Sequence, residues 1–303
     1  MATIYEKGFL FKKETTKGTD SVPTNLLNGV RIEKDFAVTP TAEKIPYKPV
    51  KLTMGGLKSL TGRKTITLTV PTLVRGSGTA GTAPEIGDLL QACGLSETIS
   101  AGTSVTYAPL STGLVSGTGY AYIDGLLCKA LGAVADTSIE CTIGEPIKAT
   151  FNVQAGFDVA PTAVACPTIT QDAVQPIVMT SADVVSDGTT LKVGAFTLAL
   201  GNEMGDHYNT GENTYTVADR NATITITKDS VSTVADWNAL VAGTEFAITS
   251  TFGTVAGNKM QLNAPKAVMT AESMAERNER TTKELTFELV ETAGDDQFSV
   301  VFL

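Results

Sequence analysis

The sequence predicts a mainly β protein built as two tandem β-sandwich or barrel domains, each with a short flanking α-helix. Three observations carry this expectation. Glycine, threonine and alanine are abundant while long amphipathic helical patterns are scarce, a balance that favours strands and turns. Several runs alternate apolar and polar residues with a period of two, the mark of a strand with one buried and one wet face. Three such features return in the same order in the second half, as a diverged tandem duplication would leave them. With 303 residues, 42% hydrophobic and 18% charged, the chain has the length for two domains and the composition to bury real cores.

Residues 1–60 read as an irregular, proline-punctuated arm. In GRKTITLTV, Ile66, Leu68 and Val70 then alternate with Thr65, Thr67 and Thr69. The glycine-rich loop that follows leads to PEIGDLLQACG, where Pro84 suits a first helical position. Ile86, Leu89, Leu90 and Cys93 share one helical side, and Gly94 suits the C-terminal cap. SVTYAPL, GYAYIDGLLCKALGAVAD and IEC read as strands and turns. PIKATFNVQAG alternates again, with Ile147, Ala149, Phe151 and Val153 against Lys148, Thr150, Asn152 and Gln154. Residues 155–176 hold three prolines and almost no charge, the composition of a crossing between domains. Beyond it RNATITIT (220–227) echoes RKTITLT, with Arg220 where Arg63 stands. VADWNALVAG (234–243) echoes the helix, and KELTFELVETAG (283–294) echoes the closing strand. The expected domains are 1–165, with an extended N-terminal arm, and 166–303.

Charge separates the halves. Residues 1–165 carry 15 Lys/Arg against 14 Asp/Glu, and residues 166–303 carry 8 against 18. An acidic half is a poor partner for the outside of DNA, where binding rests on phosphate neutralisation, but it suits a wall that DNA passes without sticking. The opening MATIYEKGFLFKKETTKGTD has no basic region followed by a long apolar core, so no export signal is expected, and no apolar run is long enough for a membrane helix. Cys93, Cys128, Cys141 and Cys166 form no CxxC pair and are expected to be reduced.

Reactive constellations are sparse. Gly76, Gly78 and Gly81 have the GxGxxG spacing of a dinucleotide loop. The strand before them alternates with threonine, whereas a doubly wound parallel sheet buries its first strand on both faces. The helix does not start on the glycines, because Thr82, Ala83 and Pro84 intervene, and Glu97 does not end a second strand. A flexible loop is the better reading. His207, the only histidine, lies in GDHYNTGEN, which reads as an exposed turn; Glu203, Asp206 and Glu212 nearby form a solvated acidic loop rather than a cation site. Asp295 and Asp296 are adjacent and so point apart. SMAERNER (273–280) reads as a solvated face or loop. No catalytic residue, cofactor or metal site is expected.

Larger blocks point elsewhere. KKETTKGTDSVPT (12–24), GRKTITLTV, GSGTAGTAPEIGDLLQACGL, SVTYAPL, YIDGLLCKALGA and GEPIKATFNVQAGF resemble the tail tube (major tail) proteins of long-tailed bacteriophages. LALGNEM, VADRNATITIT and TFELVETAGDDQFSVVF extend the resemblance through the second half. It implies tail-tube-like domains whose copies form rings, with inner strands joined into one barrel, stacked into a tube that conducts the genome from capsid to host. It implies tape measure, tail terminator and distal tail proteins as partners, location in the virion tail, assembly in the host cytoplasm, and no membrane. Period-two logic then makes the polar strand faces the lumen: Thr65, Thr67 and Thr69; Lys148, Thr150 and Asn152; Thr223, Thr225 and Thr227; and Glu284, Thr286 and Glu288. The loop Arg75, Gly76, Ser77, Gly78 and Gly81 is expected at a subunit contact. Two tandem domains imply three chains per ring with pseudo-sixfold symmetry, the alternative being a hexamer of single-domain subunits. Residues 10–60 and 201–219 would be arms or loops reaching the next ring. The tube of a phage-derived or type VI-like secretion device shares this fold; a nucleotide-binding enzyme using GSGTAG and a secreted adhesin-like protein are the more distant classes.

Overall fold

The computed structural model describes residues 7–157, 159–169, 173–180, 183–229, 234–277 and 280–303. The first half contributes β1 (Lys7–Lys13), β2 (Gly29–Val30), β3 (Ala37–Ile45), β4 (Leu60–Leu73), α1 (Gly87–Ala92), β5 (Leu95–Ser100), β6 (Ser104–Pro109), β7 (Gly117–Ile123), β8 (Leu126–Thr142), β9 (Lys148–Gly156) and the short β10 (Thr162–Ala163). The second contributes β11 (Asp183–Ser186), β12 (Thr189–Leu191), β13 (Val193–Ala199), β14 (Asn202–Asn209), β15 (Glu212–Arg220), β16 (Thr223–Asp229), α2 (Val234–Ala242), β17 (Glu245–Val255), β18 (Asn258–Arg277), β19 (Arg280–Leu289) and β20 (Ser299–Phe302). The protein is mainly β, as its sequence predicts.

The alternating runs form the middle of the fold. Ile66, Leu68 and Val70 of β4, Phe151 and Val153 of β9, Ile224 and Ile226 of β16, and Leu285 and Phe287 of β19 are all buried. Burying each such side chain stabilises by about 1.5–3 kcal/mol, so these faces fix which way every strand turns. Side by side the strands run β3, β4, β9, β8 and then β13, β16, β19, β18, all antiparallel, with β8 paired to β13. The order and the chain connections of the first four strands thus recur in the second four. Register recurs too. Ala37, Thr39 and Thr41 of AVTPT oppose Thr69, Thr67 and Thr65, while Ala195, Thr197 and Ala199 of AFTLA oppose Thr227, Thr225 and Thr223.

A second layer covers the apolar side. β20 lies between β6 and the start of β18, with Val300 opposite both Tyr107 and Leu262; β5, β17, β11 and β12 extend this layer. β1, β2 and β7 pair onto the first part of β8. Phe9, Phe36, Leu68 and Phe151 of one half and Phe196, Ile224 and Phe252 of the other belong to one continuous core.

The structure corrects three local expectations. Residues 1–60 are not wholly irregular: β1 is buried along Phe9, Leu10 and Phe11, and β3 is a strand despite Pro40. The ETTKGTD block folds onto the sheet, where buried Glu14 accepts hydrogen bonds from Ser116 Oγ (2.6 Å), Thr118 Oγ1 (2.8 Å), Gly132 N (2.9 Å) and Gly18 N (2.8 Å). Asp20 accepts from Tyr120 and Lys129. Among the described residues of this segment, 46–59 stays outside as a long free loop, with Val50, Leu52 and Met54 fully exposed. Helix α1 begins at Gly87, after a turn that contains Pro84; Gly94, at φ +74°, does follow its C-terminus. The segment 201–219 is the β14–β15 hairpin rather than a loop. SMAERNER belongs to the β18–β19 hairpin, its residues 278 and 279 lying outside the described ones.

Candidate functional site: a continuous polar sheet face

Direct cross-strand neighbours share a sheet face, so the register assigns each polar position. Thr67 opposes Gln154 and Thr69 opposes Asn152. Asn152, Thr150 and Lys148 oppose Asp136, Ser138 and Glu140 of β8. Glu140 opposes Thr197, Thr197 opposes Thr225, and Thr223, Thr225 and Thr227 oppose Glu288, Thr286 and Glu284. All twelve candidate residues therefore stand on one face that crosses both halves. None of the twelve is buried, whereas their apolar alternates are.

The structure adds members that strand-by-strand reading missed: Thr39 and Thr41 on β3, Asp136, Ser138 and Glu140 on β8, and Thr197 on β13. Their signal was present in ADTSIECT, where Asp136, Ser138, Glu140 and Thr142 alternate with buried Ala135, Thr137, Ile139 and Cys141. Acids outweigh bases in these rows, with Asp136, Glu140, Glu284 and Glu288 against Lys148. At one rim, burial pushes the Asp136 carboxyl above the usual range, while hydrogen bonds from the backbone N–H groups of Asn202 and Thr137 pull it back.

A polar knot locks the two halves beside this face. Arg220 donates to the carbonyls of Cys93 (3.2 Å) and Gly94 (2.7 Å), at the end of α1, and to Asn202 Oδ1 (3.0 Å). Asn202 Nδ2 donates in turn to the Cys93 (2.8 Å) and Ala135 (3.1 Å) carbonyls. A side chain at position 94 would meet the Arg220 guanidinium at 2.7 Å, so glycine is needed there for space as well as for its positive φ. Arg63, the echo of Arg220, also crosses between the halves. It pairs with Asp206, donates to Asn213 Oδ1 (2.9 Å) and lies 4.7 Å from the Tyr215 ring centre.

The glycine loop is occupied by the chain itself. Gly76 N donates to Asn258 Oδ1 (2.7 Å) and Gly78 N to the Gly257 carbonyl (3.0 Å). A Cβ at position 76 would sit 2.1 Å from that carbonyl oxygen. Ser77 turns back to the Thr79 carbonyl, Arg75 to Leu73 O and Glu85, and Gly81 packs on the backbone at 100–102. Two amides that a phosphate cradle would use are thus committed to the β17–β18 turn. The contact seen is between halves of one chain, where the sequence suggested one between subunits.

The remaining candidates stay apart. His207 is exposed on β14, in a strand rather than a turn. Asp206 beside it is drawn to Arg63. Asp295 accepts from Ser111, and Asp296 from the amides of Thr292 and Ala293, so the adjacent acids serve different partners. Among the described residues no group of three or more His, Cys, Asp or Glu is placed to hold a metal. Cys93, Cys128, Cys141 and Cys166 carry thiols rather than disulfides, and burial raises the thiol pKa values of Cys93, Cys128 and Cys141. Replacing His207 with Ala should leave stability within about 0.5 kcal/mol, the usual range for an exposed side chain. Chemical denaturation checks this, and a larger loss would give His207 a role that its surroundings do not suggest.

A comparison with curated proteins found no match. The family model described as phage tail tube protein matches residues 6–289, which takes in the whole eight-stranded run and both echoing halves. The chain therefore belongs to the phage tail tube protein family, whose members are structural proteins of the virion tail.

Proposed function

We propose that three copies of this chain form each ring of a tail tube, that the polar sheet face lines the lumen, and that DNA passes along it from capsid to host. The observation that carries the reading is the continuity of that face over eight strands drawn equally from the two echoing halves. We take 1–165 and 166–303 as duplicated tail-tube-like domains, so three chains supply six repeats. The face suits passage. Threonine, serine and carboxylate groups offer phosphates no fixed counter-charge, and the binding of phosphate to lysine and arginine is what makes DNA adhere. Closing the ring also removes exposed sheet edges, which otherwise invite unwanted pairing. The free loop 46–59, apolar at Val50, Leu52 and Met54 and basic at Lys48, Lys51 and Lys58, is suited to reach the neighbouring ring. Assembly takes place in the host cytoplasm, with tape measure, terminator and distal tail proteins as further partners of a long-tailed phage. The reading assigns the chain no enzymatic step.

Native mass measurement of a single ring released from tubes tests the subunit count. Three chains of 31.6 kDa are expected; a ring of six identical chains would end the trimer reading.

A further inference from the structure

We propose that helix α2 is a latched lid, held on the sheet by one buried charge cluster and able to open as a unit while the rest of the fold stays closed. The device belongs to the single chain and needs no ring. It shows in a contrast between the two repeats. α1 and α2 hold equivalent places, between β4 and β5 in one half and between β16 and β17 in the other. The cross-strand pairs Thr67–Gln154 and Thr225–Thr286 set the equivalence of the neighbouring strands. Three positions further on, the first half pairs Val70 with Phe151, whereas the second half pairs Lys228 with Lys283. An apolar pair in the core of one repeat is thus a lysine pair in the other.

The lysines belong to a cluster that reaches the helix. The side chains of Lys283 and Glu272 are closed off from water, at 1% and 2% exposure. Lys283 Nζ lies 2.6 Å from Asp236 Oδ2, in the first turn of α2, and 3.7 Å from Glu272 Oε1 on β18. Burial and the charge of Lys283 hold the Lys228 ammonium below its usual pKa. The helix itself is inside out. At about 100° per residue, Val234, Trp237 and Val241 fall on one side, and Asp236, Ala239 and Leu240 on the opposite one. The apolar stripe faces water, its residues 78%, 53% and 86% exposed. The sheet side carries the aspartate and the partly buried Ala239 and Leu240. α1 does the reverse, with Leu89, Leu90 and Ala92 at most 1% exposed.

That difference sets the cost of opening. Drawing α1 off the core would return fully buried apolar side chains to water with nothing regained. Drawing α2 off breaks an ion pair, but Asp236 and Lys283 then recover the hydration that burial took from them. For a buried pair the two effects nearly cancel, which is why apolar residues of similar volume often replace one without loss. What opposes opening is then chiefly the small apolar contact of Ala239 and Leu240. Gly243, exposed and at φ +63°, follows the last turn and supplies a hinge.

Hydrogen exchange on the full chain tests both the lid and its latch. In the unmodified protein, amides at 238–242 should exchange at least about a hundred-fold faster than those at 90–94 and in β16 and β19, through an opening that leaves those strands protected. Asp236→Ala leaves Lys283 without its partner in the helix, so exchange at 238–242 should quicken by at least about ten-fold. The fluorescence anisotropy of Trp237, the single tryptophan, should fall in the same variant while β16 and β19 stay unchanged. Asp236→Leu with Lys283→Leu turns the latch into an apolar contact and leaves Lys228 and Glu272 for each other. That double variant should slow exchange at 238–242 by at least about ten-fold. Exchange at 238–242 that keeps pace with β19 in the unmodified chain would overturn the lid. Equal exchange there in the parent and both variants would overturn the latch.

Discussion

Phage whose tube carries Thr67→Lys, Thr225→Lys and Thr286→Lys should assemble tails of normal length and yet lose infectivity by at least about a hundred-fold, because each added ammonium gives the passing DNA a phosphate contact. The three positions stand on the same polar face, Thr225 directly opposite Thr286, and none of them is buried. Folding should therefore tolerate them. Repeated in every subunit of every ring, the lysines turn a surface on which acids outweigh bases into one that holds its cargo. Binding through six to ten phosphates weakens by about a thousand- to a hundred-thousand-fold between 50 and 200 mM salt, so raising ionic strength should partly rescue ejection. Ejection from purified particles, followed by DNA release at two salt concentrations, is the measurement. Normal ejection from fully assembled lysine tails would show that this face does not meet the DNA. The same three threonines changed to Ser serve as the control and should eject normally.

Arg220→Ala should destabilise the chain by about 3 kcal/mol, more than any single change on the polar face. The substitution strips the buried Gly94 carbonyl and the buried Asn202 side chain's Oδ1 of the donor that half-buried Arg220 supplies, and each buried group left unsatisfied costs about 1–3 kcal/mol. Asn202 would also lose the partner that orients its amide toward Cys93 and Ala135. Lysine at 220 keeps the charge, but a single ammonium cannot reproduce the guanidinium fork that spans three acceptors, so Arg220→Lys should recover only part of the loss. Equilibrium unfolding in urea checks both variants. Equal stability of Arg220→Ala and the parent would mean that the halves are held by β8–β13 and β20 without this knot.

The parts of this fold that were legible in the sequence share one property: a strand with a wet face and a dry face. TITLTV, TITIT and the two closing strands show it openly, and their order was enough to suggest two repeats. What escaped had no such contrast. β1 buries Phe9, Leu10 and Phe11 in succession, so no period appears. β3 is an edge on which Pro40 suggested a break, although an edge tolerates a residue without an amide. The β14–β15 hairpin carries no row of buried apolar side chains, and with no such row to set its register only its turn could be seen. Seen alone, the glycine loop carried a false signal: spacing suited to phosphate, but amides already bound to Asn258 and Gly257.

β20 gives the molecule a sense of time. Its Val300 bridges Tyr107 on one side and Leu262 on the other, two strands made far apart during synthesis. Chains emerge from the ribosome in order, and distant pairings form late because they must first close long loops. The edge of β6 that carries Val105 and Tyr107, both buried in the finished fold, has no strand beside it until residues 299–302 arrive. The early half can arrange its own hairpins but cannot seal its second layer alone. The second layer is therefore completed only when one four-residue strand, made last of all the described strands, reaches its place between β6 and β18.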